Sequence, residues 1–337
     1  MLKRLGILFL LPLVAAAGGA WWMKTRLETP YRGFDAQEVF VDLPSGIGVS
    51  AIGERLSDAG VVPDPWTFRL AARLAGVDRK LQAGEYRFAE PATPREVAAR
   101  LARGDIYTHP ITFPEGLTIA EMADIFGKSG LGTAVEFRAA AKETALIGDL
   151  DPDAETLEGY LFPSTYALAR RAGATATVQA MVTGFNRAFD APLRMDAAAR
   201  NMTPRDVVTL ASIIEKETAR PEERPIVSAV YQNRLKIGMP LQCDPTVIYA
   251  MMLAGTWNGN IRRTDLQMDS PYNTYRHAGL PPGPIASPGK SSLEAAVHPA
   301  DVKFLYFVSR NDGTHVFATT LEEHNRNVAR YQVIRRH

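Results

Sequence analysis

The 337-residue chain holds a single cysteine, Cys243. One thiol cannot close an intrachain disulfide or build a CxxC metal site. No HExxH string occurs among the six histidines. His298, His315 and His324 come nearest to metal-ligand character, but their wide spacing reads better as surface or core histidines, and no metal is expected. Charge of one sign is never concentrated: 38 basic and 37 acidic residues leave a net charge of +1. Without a basic block no nucleic-acid partner is expected, and without an acidic tail no long disordered segment. What remains is a globular composition, 46% hydrophobic, long enough for two domains or one domain with an appendage.

Charge is also missing from Leu5 to Met23, LGILFLLPLVAAAGGAWWM. These 19 residues, at about 1.5 Å each, just span a bilayer. Ala15, Ala16 and Ala17 look like a cleavage region, which would make the stretch a signal peptide. Trp21 and Trp22 followed by Lys24 and Arg26 read better as an interfacial anchor. The expectation is a short cytoplasmic head and a retained single-pass transmembrane helix over residues 1–30, with the body outside the cytoplasm.

The body contains a repeat. LPSGIGVSAIGERLSDAGV, from Leu43, resembles FPEGLTIAEMADIFGKSGL, from Phe113. Pro44, Gly46 and Gly60 recur seventy positions on as Pro114, Gly116 and Gly130. Each copy reads as a short strand, a Pro-x-Gly turn and a helix ended by glycine. Thr118 with Glu121 forms a capping box in the second. An aromatic strand closes each copy, GEYRF from Gly84 and EGYLF from Glu158. A β-α-α-β unit of this order resembles LysM, a carbohydrate-binding module of bacterial wall proteins; a duplicated scaffold without a ligand reads equally well. The expected class is α+β, with a LysM-like module at 36–106 and a mixed α/β domain at 107–334 that includes a second LysM-like unit at about 107–166.

Beyond Thr203 the texture loosens. SPYNTYRHAGLPPGPIASPG, Ser270 to Gly289, is too rich in proline and glycine for one helix or a central strand. A long ordered loop of this kind is often functional, and its aromatic and amide groups suit a sugar- or peptide-lining role. VKFLYFVSR and THVFATT flank Asn311-Asp312-Gly313, a hairpin signal, and an exposed helix is expected from Leu321.

Chemistry points to one helix. Thr203-Pro204-Arg205-Asp206 opens it with a cap, a first-turn proline and an acidic residue. Val207, Leu210, Ala211 and Ile214 then mark a buried stripe. Glu215 and Glu217 project at opposite edges of that stripe, and Pro221 stops the helix. Apolar neighbours and the negative helix end both favour the neutral carboxyl at Glu215, the state that general acid catalysis needs. Small neighbours, Ala211 and Ser212, leave room for a ligand. A glutamate in a salt bridge, with Arg220 sharing a charged cluster, fits the helix as well.

The segment LASIIEKETARPEERPIVSAVYQNRLKIGMPLQCDPTVIYA resembles the signature of the YceG-like family, membrane-anchored endolytic murein transglycosylases. LEGYLFPSTY, the Ser270–Gly289 stretch and AAVHPA before FLYFV resemble it too, in matching order. The resemblance implies cleavage of the MurNAc–GlcNAc β-1,4 bond of peptidoglycan with 1,6-anhydro ends, Glu215 as the catalytic acid, no cofactor, and partnership with wall synthases. It implies a cytoplasmic-membrane location with the catalytic domain outside. Glu158, Gln242, Asp244, Tyr272, Asn273 and Tyr275 become candidates for lining the cleft. Cys243 stands where the family usually carries threonine. Rival readings are a wall-binding scaffold without activity, a murein hydrolase, and a penicillin-binding serine enzyme built on Ser287-Pro-Gly-Lys290, whose central Pro-Gly opposes the helix that motif needs.

Overall fold

The computed structural model describes residues 2–332, with side chains at Val14 and from Ala16 onward. Contacts divide the chain into two compact units, Met1–His109 with Ala167–Arg171, and Pro110–Tyr166 with Ala172–His337. Among the described residues are thirteen α-helices and three two-stranded sheets, a mixed α/β architecture.

The first unit runs α1 (Leu2–Glu28), β1 (Val39–Leu43), α2 (Val49–Asp58), α3 (Pro65–Leu74), β2 (Gly84–Phe88) and α4 (Pro94–Arg103). β1 and β2 pair antiparallel from Val39↔Phe88 to Leu43↔Gly84. Val41, Leu43, Tyr86 and Phe88 face inward and meet Ile52, Leu56, Phe68, Ala72, Val97 and Leu101 from the helices. Local chemistry sets the helix ends. Asp64 caps α3 by accepting from Thr67 N at 2.8 Å, and Thr93 with Glu96 forms a capping box on α4. Gly104, at φ 73°, closes α4 in the left-handed conformation.

α1 is tied down at its last turn, where the Arg26 guanidinium donates to Asp64 at 2.5 Å and to Thr67 at 3.0 Å. Among the described residues no helix is long and apolar enough to cross a membrane. Side chains at residues 2–13 and 15, much of the Leu5–Met23 run, lie outside the described set. The expected anchor over residues 1–30 thus finds no support in the fold.

The second unit holds most of the remaining elements. β3 (Thr108–Thr112), α5 (Ile119–Lys128), α6 (Ala134–Ala140) and β4 (Thr165–Ala169) repeat the order of the first, and β3 pairs with β4. There follow α7 (Gly173–Ala188), α8 (Ala191–Ala199), α9 (Pro204–Glu217), α10 (Arg224–Lys236), α11 (Asp244–Leu253), α12 (Lys290–Val297), β5 (Tyr306–Ser309), β6 (His315–Ala318) and α13 (Leu321–Tyr331). α9 is the central helix, with α8, α10, α11 and α12 packed around it.

Two sequence expectations shift. Glu158–Phe162 forms a turn, and the closing strand starts at Thr165. Tyr160 and Leu161 are both buried, which an alternating strand on a two-stranded ribbon does not allow. Gly159, at φ 83°, turns the chain where a Cβ would overlap Pro284 and meet Val208. The hairpin strands are also shorter than the apolar runs. Asn233 donates to the carbonyls of Val302 and Phe304, and Arg234 to that of Leu305, so side chains of α10 take acceptors that a longer strand would use. α13 has no buried residue, as an exposed terminal helix requires.

Candidate active site

α9 begins as its sequence dictates. Thr203 accepts from Asp206 N at 3.1 Å, and the Asp206 carboxylate accepts from Thr203 N at 2.9 Å. It ends at Glu217, where Thr218 turns extended. Its burial is broader than a stripe: every residue from Val207 to Ile214 is buried. Small and β-branched side chains let neighbours close in on all sides. The space beside Ser212 is taken up by the protein itself. The Ser212 hydroxyl accepts the Ile285 N–H at 3.0 Å and donates to Thr209 O at 2.7 Å. Gly283 to Gly289 is buried throughout, so this half of the expected lining loop is a strap over α9.

Glu215 lies at the last turn of α9 with its side chain only 5% exposed. One oxygen accepts from Arg224 Nη2 at 2.7 Å, and the other accepts from Gly289 N at 2.9 Å, the residue that caps α12. Burial pushes the carboxyl above its ordinary range. The Gly289 N–H, the Arg224 charge and the nearby Ser292 hydroxyl oppose that, and the Glu115 charge adds to it. Ser292 Oγ is buried without a hydrogen-bond partner, and so is Arg224 Nε. Arg224 Nη2 also reaches Glu115 Oε2 at 3.4 Å; Glu115 is 49% exposed while Arg224 is 6% exposed. The site can therefore hold a proton on one enclosed carboxyl beside a half-open second carboxylate. The salt bridge that the helix allowed at Glu215 is made, to Arg224; Arg220, expected to share a charged cluster, lies 3.6 Å from Glu222, and Lys216 donates to Gly116 O at 3.0 Å.

Glu217 turns to a separate cluster. It accepts from Tyr231 OH at 2.7 Å and from Cys243 Sγ at 3.0 Å, and burial raises both the carboxyl and the thiol. Nearby, Tyr275 OH donates to exposed Asp244 at 2.6 Å. Gln242 is exposed, at φ 51°, with its N–H on Thr274 O.

Glu158 occupies a third place. Its carboxyl accepts from Ile119 N at the start of α5, at 3.1 Å, and from Tyr249 OH at 3.3 Å. The residue is partly exposed but its carboxyl is enclosed, and burial pushes it up to about 8. It lines a cavity of about 360 Å³ with Tyr249, Tyr272, Asp151 and Arg205. Glu215 is not among the residues lining that cavity. Tyr249 and Tyr272 meet edge to face at 5.0 Å.

The sequence candidates thus separate. Glu158 and Tyr272 share a cavity, Asp244 and Tyr275 share a hydrogen bond, and Asn273 serves the loop. Asn273 is fully buried; its amide donates to Leu266 O and Met268 O and accepts from Tyr275 N, leaving no polar atom for a ligand. Ser287 is equally enclosed, and α12 starts only at Lys290, which lies 3.5 Å from Glu294, so no Ser-Lys catalytic pair forms. The histidines are dispersed: His298 lies beside Asp196, His315 beside Glu223, and His324 stacks on Tyr306.

Sequence reasoning missed Arg224, Glu115 and Gly289. Arg224 follows a helix break, so no helical spacing relates it to Glu215. Glu115 did leave a signal: the repeated turn reads Pro-Ser-Gly at Ser45 in the first copy and Pro-Glu-Gly in the second.

The Glu215 carboxyl is thus enclosed, with burial favouring its neutral form and a guanidinium and a helix N-terminus favouring its charged form. The chain belongs to the YceG-like family, whose family model matches residues 41–330. It is 32% identical to an endolytic murein transglycosylase of Bacillus subtilis, over 93% of this chain and 90% of that protein. It is 31% identical to an endolytic murein transglycosylase of Streptococcus pneumoniae, over 94% of this chain and 63% of that protein. A 2.6 Å crystal structure of a YceG-like protein from Listeria monocytogenes matches with a TM-score of 0.59 and 30% identity, covering 86% of this chain and 99% of that one.

Proposed function

We propose that this protein is an endolytic murein transglycosylase that cleaves the MurNAc–GlcNAc β-1,4 bond with Glu215 as its one acid–base group. The carrying observation is the Glu215 carboxyl, almost fully enclosed and held above its ordinary range by burial. The protonated acid gives its proton to the leaving glycosidic oxygen as the C1–O bond breaks. The resulting carboxylate takes the proton of the muramyl C6 hydroxyl, whose oxygen closes on C1 as a 1,6-anhydro ring. One proton leaves Glu215 and one returns, so water is not consumed and the second carboxylate of an ordinary glycosidase is not obligatory.

Glu158, Tyr249 and Tyr272 line a cavity fit for part of the glycan, and exposed Gln242 and Asp244, with half-buried Tyr275, offer polar groups near those residues in sequence. Residues 36–106 act as a LysM-like wall-binding module and 107–334 as the catalytic domain, with wall synthases as partners. Residues 1–30 anchor the chain in the cytoplasmic membrane. That part is supported by the uncharged Leu5–Met23 run and by Trp21 and Trp22, which are 71% and 50% exposed, with Trp66 nearby at 44%.

The test is digestion of purified murein in ¹⁸O-labelled water, followed by mass spectrometry. Anhydro ends without label are expected. Labelled reducing ends would make the protein a hydrolase, and intact glycan bound to it would make it a scaffold; either outcome overturns the reading.

A further inference from the structure

We propose that Glu115 is a positioning residue of the reaction: it shares the Arg224 guanidinium with Glu215 and so sets how firmly that guanidinium holds the acid. The inference rests on Glu215 being the acid. A glutamate paired tightly with a buried arginine is a poor proton donor, because the pair favours the charged form. Here the same nitrogen, Arg224 Nη2, faces both carboxylates, at 2.7 Å from Glu215 and 3.4 Å from Glu115. The guanidinium is almost enclosed and its Nε has no partner, and among the described residues its hydrogen bonds go to these two carboxylates.

Two further observations separate Glu115 from the scaffold. The same turn is built twice. Gly46 and Gly116 adopt matching left-handed conformations, φ 83° and 76°, yet the first copy carries Ser45 where the second carries Glu115. The turn therefore does not need a carboxylate. Gly289 leaves space for one: a Cβ built there would overlap the Glu115 carboxyl, although the backbone at φ −76° would accept any residue. Both carboxylates thus meet at Gly289, one through its N–H and one over its Cα.

Other charged groups around Glu215 are otherwise engaged. Lys216 is bound to Gly116 O, Glu217 accepts from Tyr231 and Cys243, and Lys290 and Glu294 lie beside each other at the surface of α12. Arg224 and Glu115 are the facing charges that remain.

The test is the pH profile of turnover for Glu115→Gln. Activity needs the protonated acid, so it falls as pH rises through the Glu215 pKa. Removing Glu115 takes away a charge that favours protonation and leaves Arg224 wholly to Glu215. The alkaline limb should move down by roughly one pH unit. Above the limb that is a loss of about tenfold, recovered on the acid side. Gly289→Ala, which pushes the Glu115 carboxyl aside without removing it, should move the limb the same way by less. A limb that stays in place or moves upward in Glu115→Gln overturns the proposal, whether turnover is normal or uniformly reduced. Should Glu115→Gln fail to fold, the same criterion applies to Gly289→Ala. Glu215→Gln in the same assay keeps the two readings apart: anhydro product from that variant would remove the acid itself, not its positioning.

Discussion

Glu215→Gln exchanges one carboxylate oxygen for an amide NH₂ at a position where both oxygens accept, one from Arg224 Nη2 and one from Gly289 N. Glutamine offers one acceptor. Whichever way the amide turns, its NH₂ faces a donor, and one buried hydrogen bond is lost. An unsatisfied buried donor costs about 1–3 kcal/mol. The larger penalty of a stranded buried charge, about 3–5 kcal/mol, is avoided because Arg224 keeps Glu115 as a partner. For a unit of this size the melting temperature should fall by about 2–4 °C per kcal/mol. The variant should therefore stay folded. Formation of anhydro product should fall by roughly 10² to 10⁴, the usual share of general acid catalysis. Glu217→Gln is the matched comparison, two residues along the same helix. Tyr231 and Cys243 both donate to one Glu217 oxygen, which glutamine retains, so stability should change by about 1 kcal/mol or less. Its product should persist. Thermal melting and product mass spectrometry on both variants decide the matter. Normal anhydro product from Glu215→Gln would sink the assignment, and so would its loss from Glu217→Gln alone.

Glu158 should make stability depend on pH. Its carboxyl ionises at about 8 when folded against 4.5 as the reference value, so across that window the unfolded chain gives up the proton first. Stability then falls as pH rises through the window and levels off above about 8. Glu158→Gln should remove the slope and gain on the parent by up to roughly 5 kcal/mol at the alkaline end; denaturant unfolding at several pH values would show it, and an unchanged slope would count against it. Cys243 is 1% exposed with its thiol pushed up, so alkylation should track unfolding; rapid labelling of the native protein would contradict the burial. Cys243→Thr should keep a donor to Glu217 and shift stability by about 1 kcal/mol or less, read from the same melts.

What the sequence made legible was local. Thr203 with Asp206 and Thr118 with Glu121 cap the helices they were expected to cap, because each box is decided within four residues. The exit of α9 and the tip of the β5–β6 hairpin were readable for the same reason. Packing from several directions was not. Periodicity reveals a buried face only when another face is exposed, so α9, surrounded by four helices, looked one-sided. Its glutamates were read at the rim of an apolar stripe, while Glu215 is enclosed by residues up to 100 positions away in sequence, such as Glu115. The Glu158–Phe162 turn was missed because a Gly beside aromatic residues reads as a strand until Pro284 is seen to need the space.

The strap over α9 has an implication for how the protein breathes. Ile285, Ser287 and Gly289 donate their N–H groups to Ser212 Oγ, Leu117 O and Glu215 Oε2, and Gly116 returns one to Ser287 O. This stretch is neither helix nor strand, yet alternate amides are each closed by a protein partner. In hydrogen exchange such amides should be as slow as those in the middle of α9, and they should open with it rather than ahead of it. The segment that sequence alone marks as a ligand-lining loop would then exchange as part of the core, and Glu215 would be held by backbone that does not fray.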